Sequence, residues 1–133
     1  KRIYMGEKDF QQLYLVKKYL EPKYKTKIIN CSTIRAMNKV ALSSRNFLLN
    51  SNQLTIAGKV TKNLIIFKKK LVNQKKTINN LSLIKKNLTK KFGIKIEYME
   101  IRNTNNFNKS TSIKNSRLFI AYYLNKVRLI DNL

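Results

Sequence analysis

The chain has 133 residues, a size typical of one ordinary domain, and its formal net charge at pH 7 is +23. Its single cysteine excludes an intrachain disulfide, and no apolar run approaches the roughly 18 residues that a membrane-spanning helix needs. The first 20 residues also lack the apolar run and small-residue cleavage site of a signal peptide, so we expect a cytoplasmic protein.

The first part of the chain predicts a strand, a loop, a helix and a second strand. Residues 2–5 have the composition of a strand, and from Asp9 onward apolar residues recur at helical spacing until Pro22 is expected to end the helix. A second strand is predicted at 27–31, with Cys31 as a small apolar residue at its end. This order is one βα unit of a nucleotide-binding α/β fold.

Two long helices are predicted next. Ser51 is the expected N-cap of a helix over residues 52–71, although Gly58 weakens the expectation of one continuous helix. A second helix is predicted over 78–92, where Gly93 should end it. The lysine-rich run 67–76 is amphipathic, and we expect it to be a helix end and turn rather than a tail.

The last part of the chain predicts three strands, at 95–101, 117–124 and 127–129. Residues 103–115 are rich in Asn, Ser and Thr and predict a flexible loop. A change of character near residues 30–35 therefore divides the chain into 1–34, a piece of an α/β sheet, and 35–133, an α+β module.

Two short motifs indicate where chemistry could occur: Gly6-Glu7-Lys8-Asp9-Phe10-Gln11-Gln12 and Ala41-Leu42-Ser43-Ser44-Arg45-Asn46. Each predicts a loop that leads into a helix, with small or polar residues and a cation where backbone N–H groups lack partners. Such a pattern is typical of a phosphate site, and two of them suggest a nucleotide held from two sides. Simpler interpretations stay open: Asp9 and Gln12 have the spacing of a capping box, and Ser43 could cap a helix beside a solvated Arg45.

The same segments resemble one family, the pantothenate synthetases (pantoate–β-alanine ligases). Residues 5–12 resemble its "FGEKDxQQ" segment, and Thr33-Ile34-Arg35 followed by residues 40–46 resembles "TxR…LAxSSRN". Residues 98–102 and 128–132 match later family segments in the same order. The resemblance therefore covers essentially the whole chain.

The resemblance implies a fold and a reaction. The fold would be α+β: residues 35–133 would be a lid of helices packed on a small antiparallel sheet. Residues 1–34 would be the last βα unit of a truncated Rossmann-like nucleotide-binding domain. The family joins pantoate to β-alanine at the expense of ATP, with Mg²⁺, through a pantoyl adenylate, and the full-length enzyme would be a homodimer.

The resemblance also implies roles for individual residues. The ATP contacts would be Gly6, Glu7, Lys8, Asp9, Ile34, Leu42, Ser43, Ser44 and Arg45. Among these, Gly6 and Asp9 would contact the ribose, and Ile34 and Leu42 would contact adenine through their backbones. Lys8 would approach the phosphates from one loop, and Ser43, Ser44 and Arg45 would clamp the β- and γ-phosphates from the other. Lys8 and Arg45 would be the catalytic charges, Gln12 would contact pantoate, and no residue would be a metal ligand.

Four positions depart from the family pattern. Ser32 stands where Pro is usual, Lys39 and Asn125 stand where Gly is common, and Asn103 stands where Asp is common. None removes a group that would contact the ligand, but Lys39 is expected to stiffen the loop.

The opposite charges within 100–102 and 128–131 predict a structural ion-pair network between adjacent strands, with no catalytic role.

Histidine is absent, whereas the family carries an "HxGH" signature in its N-terminal half. The simplest explanation is that the chain is a C-terminal fragment of the enzyme and is inactive alone.

The high positive charge leaves a second hypothesis open, a basic nucleic-acid-binding or ribosome-associated module. Because the cations are mostly Lys spread over every segment, as AT-rich codons would produce, we expect no specific nucleic-acid partner. A basic amphipathic helix on a membrane is a third option, but residues 52–76 are better used in a core.

Overall fold

The computed structural model describes residues 1–74 and 81–133 of the chain. These residues form two compact units, Lys1–Ile34 and Arg35–Leu133. None of the helices in these described residues combines the length and the hydropathy needed to cross a membrane.

The first unit is a parallel strand–helix–strand arrangement, as the sequence predicts. β1 (Arg2–Gly6) pairs in parallel with β2 (Lys27–Cys31), and a parallel pair requires a crossover connection. The crossover consists of a 3₁₀ turn (Glu7–Asp9), α1 (Phe10–Leu15), a π-helical turn (Val16–Leu20) and α2 (Glu21–Tyr24). Phe10 and Leu13 of α1 and Ile28 of β2 are the buried apolar side chains of this unit.

Three details of this unit differ from expectation. Pro22 does not end the helix: it lies in the first turn of α2, where a missing N–H costs little, and left-handed Lys25 (φ 48°) ends the helical backbone. Asp9 makes no side-chain capping hydrogen bond, so the predicted capping box with Gln12 does not form. Cys31 does end β2, but it is exposed.

The sheet of the second unit is antiparallel and three-stranded. β4 (Ser116–Leu124) lies between β3 (Lys95–Asn103) and β5 (Val127–Asn132). All three predicted strands are confirmed, and each is longer than predicted. The β4–β5 connection is a two-residue turn in which Asn125 has φ 53°, a conformation that asparagine tolerates better than most residues.

Two helices pack on this sheet, α3 (Ser51–Gln74) and α4 (Leu81–Phe92). The N-cap of α3 is Asn50, not Ser51: Gln53 N–H donates to Asn50 Oδ1 and Asn50 N–H donates to Gln53 Oε1, each at 2.9 Å. Gly93 ends α4 with φ 62°, as predicted. The predicted start of the second helix at 78 and the end of the lysine-rich run at 76 lie outside the described residues.

One apolar core lies between the helices and the sheet. Ala57, Val60 and Leu64 recur at helical spacing along α3, are at most 1% exposed, and belong to the same cluster as Leu118 and Ile120 of β4. Burying a valine, leucine or isoleucine side chain in this way contributes about 1.5–3 kcal/mol. The second unit therefore holds most of the buried apolar surface of the described chain.

Gly58 does not interrupt α3. A Cβ built there would lie 3.0 Å from both Asn38 Cβ and Asn38 O, so the glycine lets the preceding loop lie directly against the helix. Asn38 Nδ2 also donates to Leu54 O at 3.2 Å. Gly58 therefore serves the packing of this loop and does not break the helix.

The predicted loop 103–115 is a loop tied to the sheet. Ser110 N–H donates to Ile101 O at 2.8 Å, and Thr104 N–H donates to Asn115 O at 2.9 Å. The Phe107 ring meets the Phe119 ring edge-on at 5.5 Å.

Candidate functional site

The first motif occupies the turn between β1 and α1. Gly6 is the last residue of β1, with φ −70°, and a Cβ built on it would meet nothing within 4 Å. Neither backbone conformation nor packing in the described structure therefore requires glycine at this position. Asp9 and Gln12 are exposed, and Lys8 is half-buried.

The helical turns that follow the two motifs are short. The first motif enters a three-residue 3₁₀ turn and then the six-residue α1, and the second enters a 3₁₀ helix of five residues, Ser44–Leu48. The expected helix starts are present, but such short helices have small dipoles. Side chains and local N–H groups must supply most of any attraction for a phosphate.

The second motif follows a tight hairpin over residues 35–41, which we call the 35–41 hairpin. Arg35 and Ala41 pair across it, Ala36 N–H donates to Val40 O at 2.9 Å, and Lys39 N–H donates to Ala36 O at 2.8 Å. Lys39 has φ 75°, so a lysine occupies a left-handed position, where the resemblance leads us to expect glycine.

Ser43, Ser44 and Arg45 come directly after this hairpin. Ser43 caps the 3₁₀ helix, because its Oγ accepts the Arg45 N–H at 3.2 Å, so the expected cap is present. Arg45 is exposed, and its Nη1 donates to Arg128 O at 3.3 Å. Capping uses one lone pair of the hydroxyl and leaves the remaining acceptor and the O–H for other partners.

Two apolar residues that the resemblance places beside adenine are exposed. Ile34 is 72% exposed at the end of the first unit, and Leu42 is 51% exposed in the second unit. Gly6, Glu7, Lys8, Asp9 and Gln12 belong to the first unit. Ser43, Ser44 and Arg45 belong to the second.

The charged side chains of the strands form ion pairs, but not in the predicted pattern. Asp131 pairs with Arg35, outside the sheet, at 2.7 Å. Arg128 of β5 pairs with Glu97 of β3 at 2.7 Å, although β4 separates these two strands. The prediction of pairing between adjacent strands is therefore wrong, because the long arginine side chains reach past their neighbours.

Glu100 of β3 forms two further ion pairs, one within the strand and one to the 103–115 loop. Glu100 pairs with Arg102 at 2.7 Å and with Lys109 at 3.1 Å. Burial raises the pKa of the Glu100 carboxyl, but hydrogen bonds from Lys109 and Arg102 outweigh burial and hold the pKa below its usual value.

One lysine lies among arginines. Burial lowers the pKa of Lys68, and the charges of Arg117 and Arg35 lower the pKa further. The sequence pattern did not indicate that these three positive charges lie near one another, because the fold brings them together. Among residues 1–74 and 81–133, no three His, Cys, Asp or Glu side chains converge on a point where they could hold a metal ion.

Sequence reasoning missed the residues that hold the second motif in place. Asn38 accepts the Val40 N–H at 3.1 Å, and Asn46 Nδ2 donates to Ala41 O at 3.1 Å. Asn46 Oδ1 is buried and has no hydrogen-bond partner among the described residues. Asparagine residues often indicate a tight turn in a sequence, but they do not indicate which distant element their side chains contact.

Comparison with known proteins gives one consistent family. A family model described as pantoate-beta-alanine ligase matches residues 1–133. The chain is 34% identical to the pantothenate synthetase of Flavobacterium psychrophilum and 38% identical to that of Clostridium botulinum, in each case over 98% of this chain. It covers 47% and 48% of those proteins, so it spans about half the length of the curated relatives it matches.

Solved structures agree with this result. Pantothenate synthetase from Thermus thermophilus superposes with a TM-score of 0.86 at 24% identity, covering 99% of this chain and 49% of that one. At that identity the likeness concerns the fold alone. Pantoate-beta-alanine ligase from Francisella tularensis, complexed with Beta-gamma ATP and Beta-alanine, superposes with a TM-score of 0.69 at 32% identity, covering 99% of this chain and 42% of that one.

Proposed function

Because this chain belongs to the pantoate–β-alanine ligase family, we propose that it is the C-terminal portion of an ATP-dependent ligase that condenses pantoate with β-alanine. Residues 1–34 would be the end of a Rossmann-like nucleotide-binding domain and residues 35–133 a lid over the nucleotide. The homodimer and the cytoplasmic location implied by the family resemblance are part of the same proposal.

The proposed reaction has two steps. A carboxylate oxygen of pantoate attacks the α-phosphorus of ATP, the bond to the bridging oxygen breaks, and pantoyl adenylate and pyrophosphate result. The amine of β-alanine then attacks the acyl carbon, loses a proton and displaces AMP, which gives pantothenate. No protein nucleophile is needed, so positioning and stabilisation of phosphate charge carry the catalysis.

Ser43, Ser44 and Arg45 form what we call the phosphate clamp. In this proposal the two hydroxyls, the local N–H groups and the guanidinium bind the β- and γ-phosphates. Lys8 approaches the phosphates from the first unit, near the bond being made. The 3.3 Å bond from Arg45 to Arg128 O is long and exposed, so exchanging it for a charged phosphate oxygen costs little.

The other contacts complete the site. Gly6, Glu7 and Asp9 would bind the ribose side of ATP, Ile34 and Leu42 would contact adenine, and Gln12 would bind pantoate. Mg²⁺ would neutralise phosphate charge and take its ligands mainly from the triphosphate, which suits a site lined by cations and hydroxyls.

One observation supports the site above the others: nothing in the described structure requires glycine at position 6. Its φ is negative and a Cβ would meet no atom, yet a glycine there permits close approach of a ligand to the backbone. Asp9 supports the same conclusion, because its carboxylate is exposed and makes no cap for the helix that follows.

The first test is activity. We expect the 133-residue chain to form no pantothenate from ATP, pantoate and β-alanine, and we expect activity to return when the N-terminal half of a curated relative is joined to it. Robust turnover by the chain alone would contradict the proposed division of the enzyme.

The second test uses variants of the restored enzyme. Lys8→Ala should lower kcat by roughly 10²–10³, since it removes a preorganised charge. Arg45→Ala should raise the KM for ATP, Arg45→Lys should restore it only in part, and Gln12→Ala should weaken pantoate binding. Lys62→Ala, at an exposed lysine of α3, is the matched control. Adenylation at a near-normal rate in Lys8→Ala would reduce Lys8 to part of the solvated basic surface.

The net charge of +23 supports the alternative function, a basic nucleic-acid-binding or ribosome-associated module. A salt titration separates the two functions. Nonspecific binding to nucleic acid weakens steeply with salt, whereas ATP in a shaped site is much less affected.

A further inference from the structure

We propose that Asp131 is a positioning residue for the phosphate clamp. Its carboxylate fixes the guanidinium of Arg35, and that guanidinium fixes the 35–41 hairpin from which the clamp extends. This inference rests on the proposed function, because it assumes that Ser43, Ser44 and Arg45 bind phosphate oxygens.

The carboxylate of Asp131 is buried and accepts three hydrogen bonds. Its side chain is 6% exposed near the end of β5. Arg35 Nη1 donates to Oδ2 at 2.7 Å, Arg35 Nη2 donates to Oδ1 at 2.8 Å, and Asn132 N–H donates to Oδ1 at 2.8 Å. Two parallel bonds between planar groups set both the distance and the plane of the guanidinium.

The same guanidinium ties the hairpin to the sheet. Arg35 Nη1 also donates to Lys39 O at 3.0 Å, within the hairpin turn, and Nη2 donates to Asn132 O at 3.1 Å, on β5. Across the hairpin, Arg35 pairs with Ala41, which lies two residues before Ser43. The direction in which the chain leaves the hairpin is thus set by β5.

The phosphate clamp also contacts β5 directly. Arg45 donates to Arg128 O, three positions before Asp131 on β5, and Asn46 closes the segment by donating to Ala41 O. A site held by bonds to a rigid strand keeps its donors aimed at the ligand, and this is what electrostatic catalysis requires.

Stability alone is a poor reason for this arrangement. A buried ion pair gains little over apolar side chains of similar volume, because both charges lose their water. The pair does specify one geometry, since no apolar replacement could hold both the Lys39 and the Asn132 carbonyls. The function that we assign to this ion pair is therefore to hold the 35–41 hairpin in one position.

The experiment compares Asp131→Asn and Arg35→Lys with the unchanged chain. Asp131→Asn removes the charge and presents an amide to the guanidinium, and Arg35→Lys keeps the charge but loses the fork. Glu100→Gln is the matched control, because it breaks an ion pair with Arg102 and Lys109 that does not touch the hairpin. Affinities for ATP and AMP are measured by calorimetry, and amide exchange is measured by NMR.

Both variants should weaken ATP binding by about tenfold, the loss of roughly one charge-assisted hydrogen bond. AMP binding should weaken less, because AMP shares the adenine contacts of Ile34 and Leu42 but lacks the clamped phosphates. The amides of Ala36 and Lys39, which bond within the hairpin, should exchange faster, while that of Leu118 in β4 should not. The control variant should change neither affinity nor hairpin exchange.

Equal loss of ATP and AMP affinity, or unchanged hairpin exchange in a folded variant, would overturn the proposal. Where Asp131→Asn does not fold, Arg35→Lys decides, since it keeps a cation beside Asp131. Where the unchanged chain alone binds neither nucleotide, the affinities are compared in the enzyme restored with the N-terminal half. If that enzyme also binds neither nucleotide, the proposed function fails, and hairpin exchange alone then decides whether Asp131 positions the segment.

Discussion

Replacing Lys39 by glycine is expected to stabilise this chain. Lys39 has φ 75°, a region that is unfavourable for residues with a Cβ. A left-handed conformation costs such a residue about 1–2 kcal/mol, and glycine in its place costs about 0.5–1 kcal/mol through the entropy of the unfolded chain. The net gain in the free energy of unfolding is roughly 0.5–1 kcal/mol, which corresponds to a rise in Tm of about 2–6 °C.

The contacts of Lys39 favour this outcome. The hydrogen bonds of the 35–41 hairpin use its backbone, since its N–H donates to Ala36 O and its carbonyl accepts from Arg35. Glycine keeps both bonds. Its side chain is exposed, so removing it opens no cavity in the core.

Urea unfolding of three variants measures the effect. Lys39→Ala removes the charge but keeps the Cβ, so its stability should stay close to that of the unchanged chain. Lys62→Gly, in the exposed face of α3, should lose about 1 kcal/mol, because glycine is a poor helix former. If Lys39→Ala gained as much as Lys39→Gly, the benefit would come from removing positive charge, and the argument from φ would be refuted.

Four further results are expected. Gly58→Ala should destabilise by about 1–3 kcal/mol in urea, against the usual helix preference for alanine, because its Cβ would crowd the preceding loop. Asn50→Ala should cost about 1 kcal/mol in the same assay through loss of the N-cap of α3. Glu100 has a depressed pKa in the folded state, so its stabilisation should be complete above its unfolded value of about 4.3 and be lost as pH falls through the lower folded value. Glu100→Gln should flatten this part of the pH–stability curve. Amide exchange should be faster in residues 1–31 than in the three-stranded sheet, because the first unit has only two strands.

The two departures from glycine show how sequence and structure complement each other. Lys39 and Asn125 stand where the family commonly has glycine, and both have positive φ. The departures were visible in the sequence, and the resemblance indicated that the first of them lies in a functional loop. Only the structure shows that each is a left-handed turn position, because φ is set by the closing of a hairpin.

Local patterns predicted the elements well. The two long helices, the three strands and the stop at Gly93 follow from neighbouring residues alone, and these predictions are confirmed. Helix ends were less accurate: Asn50 caps α3 in place of Ser51, and Pro22 lies inside helical backbone. Both errors are of one to a few residues, as expected where several polar residues compete for a cap.

What the sequence by itself determined was therefore the type and order of the elements and the family, since each of these depends on residues close together in the chain. The candidate ligand residues that the resemblance implies stay predictions. The tertiary structure decided which partners the charges take. Arg35 and Asp131 are separated by 96 positions, and Arg45 and Arg128 by 83. No local pattern specifies such pairs: packing of the helices on the sheet brings β5 beside the 35–41 hairpin, and only then can one guanidinium bind a carboxylate and two carbonyls at once.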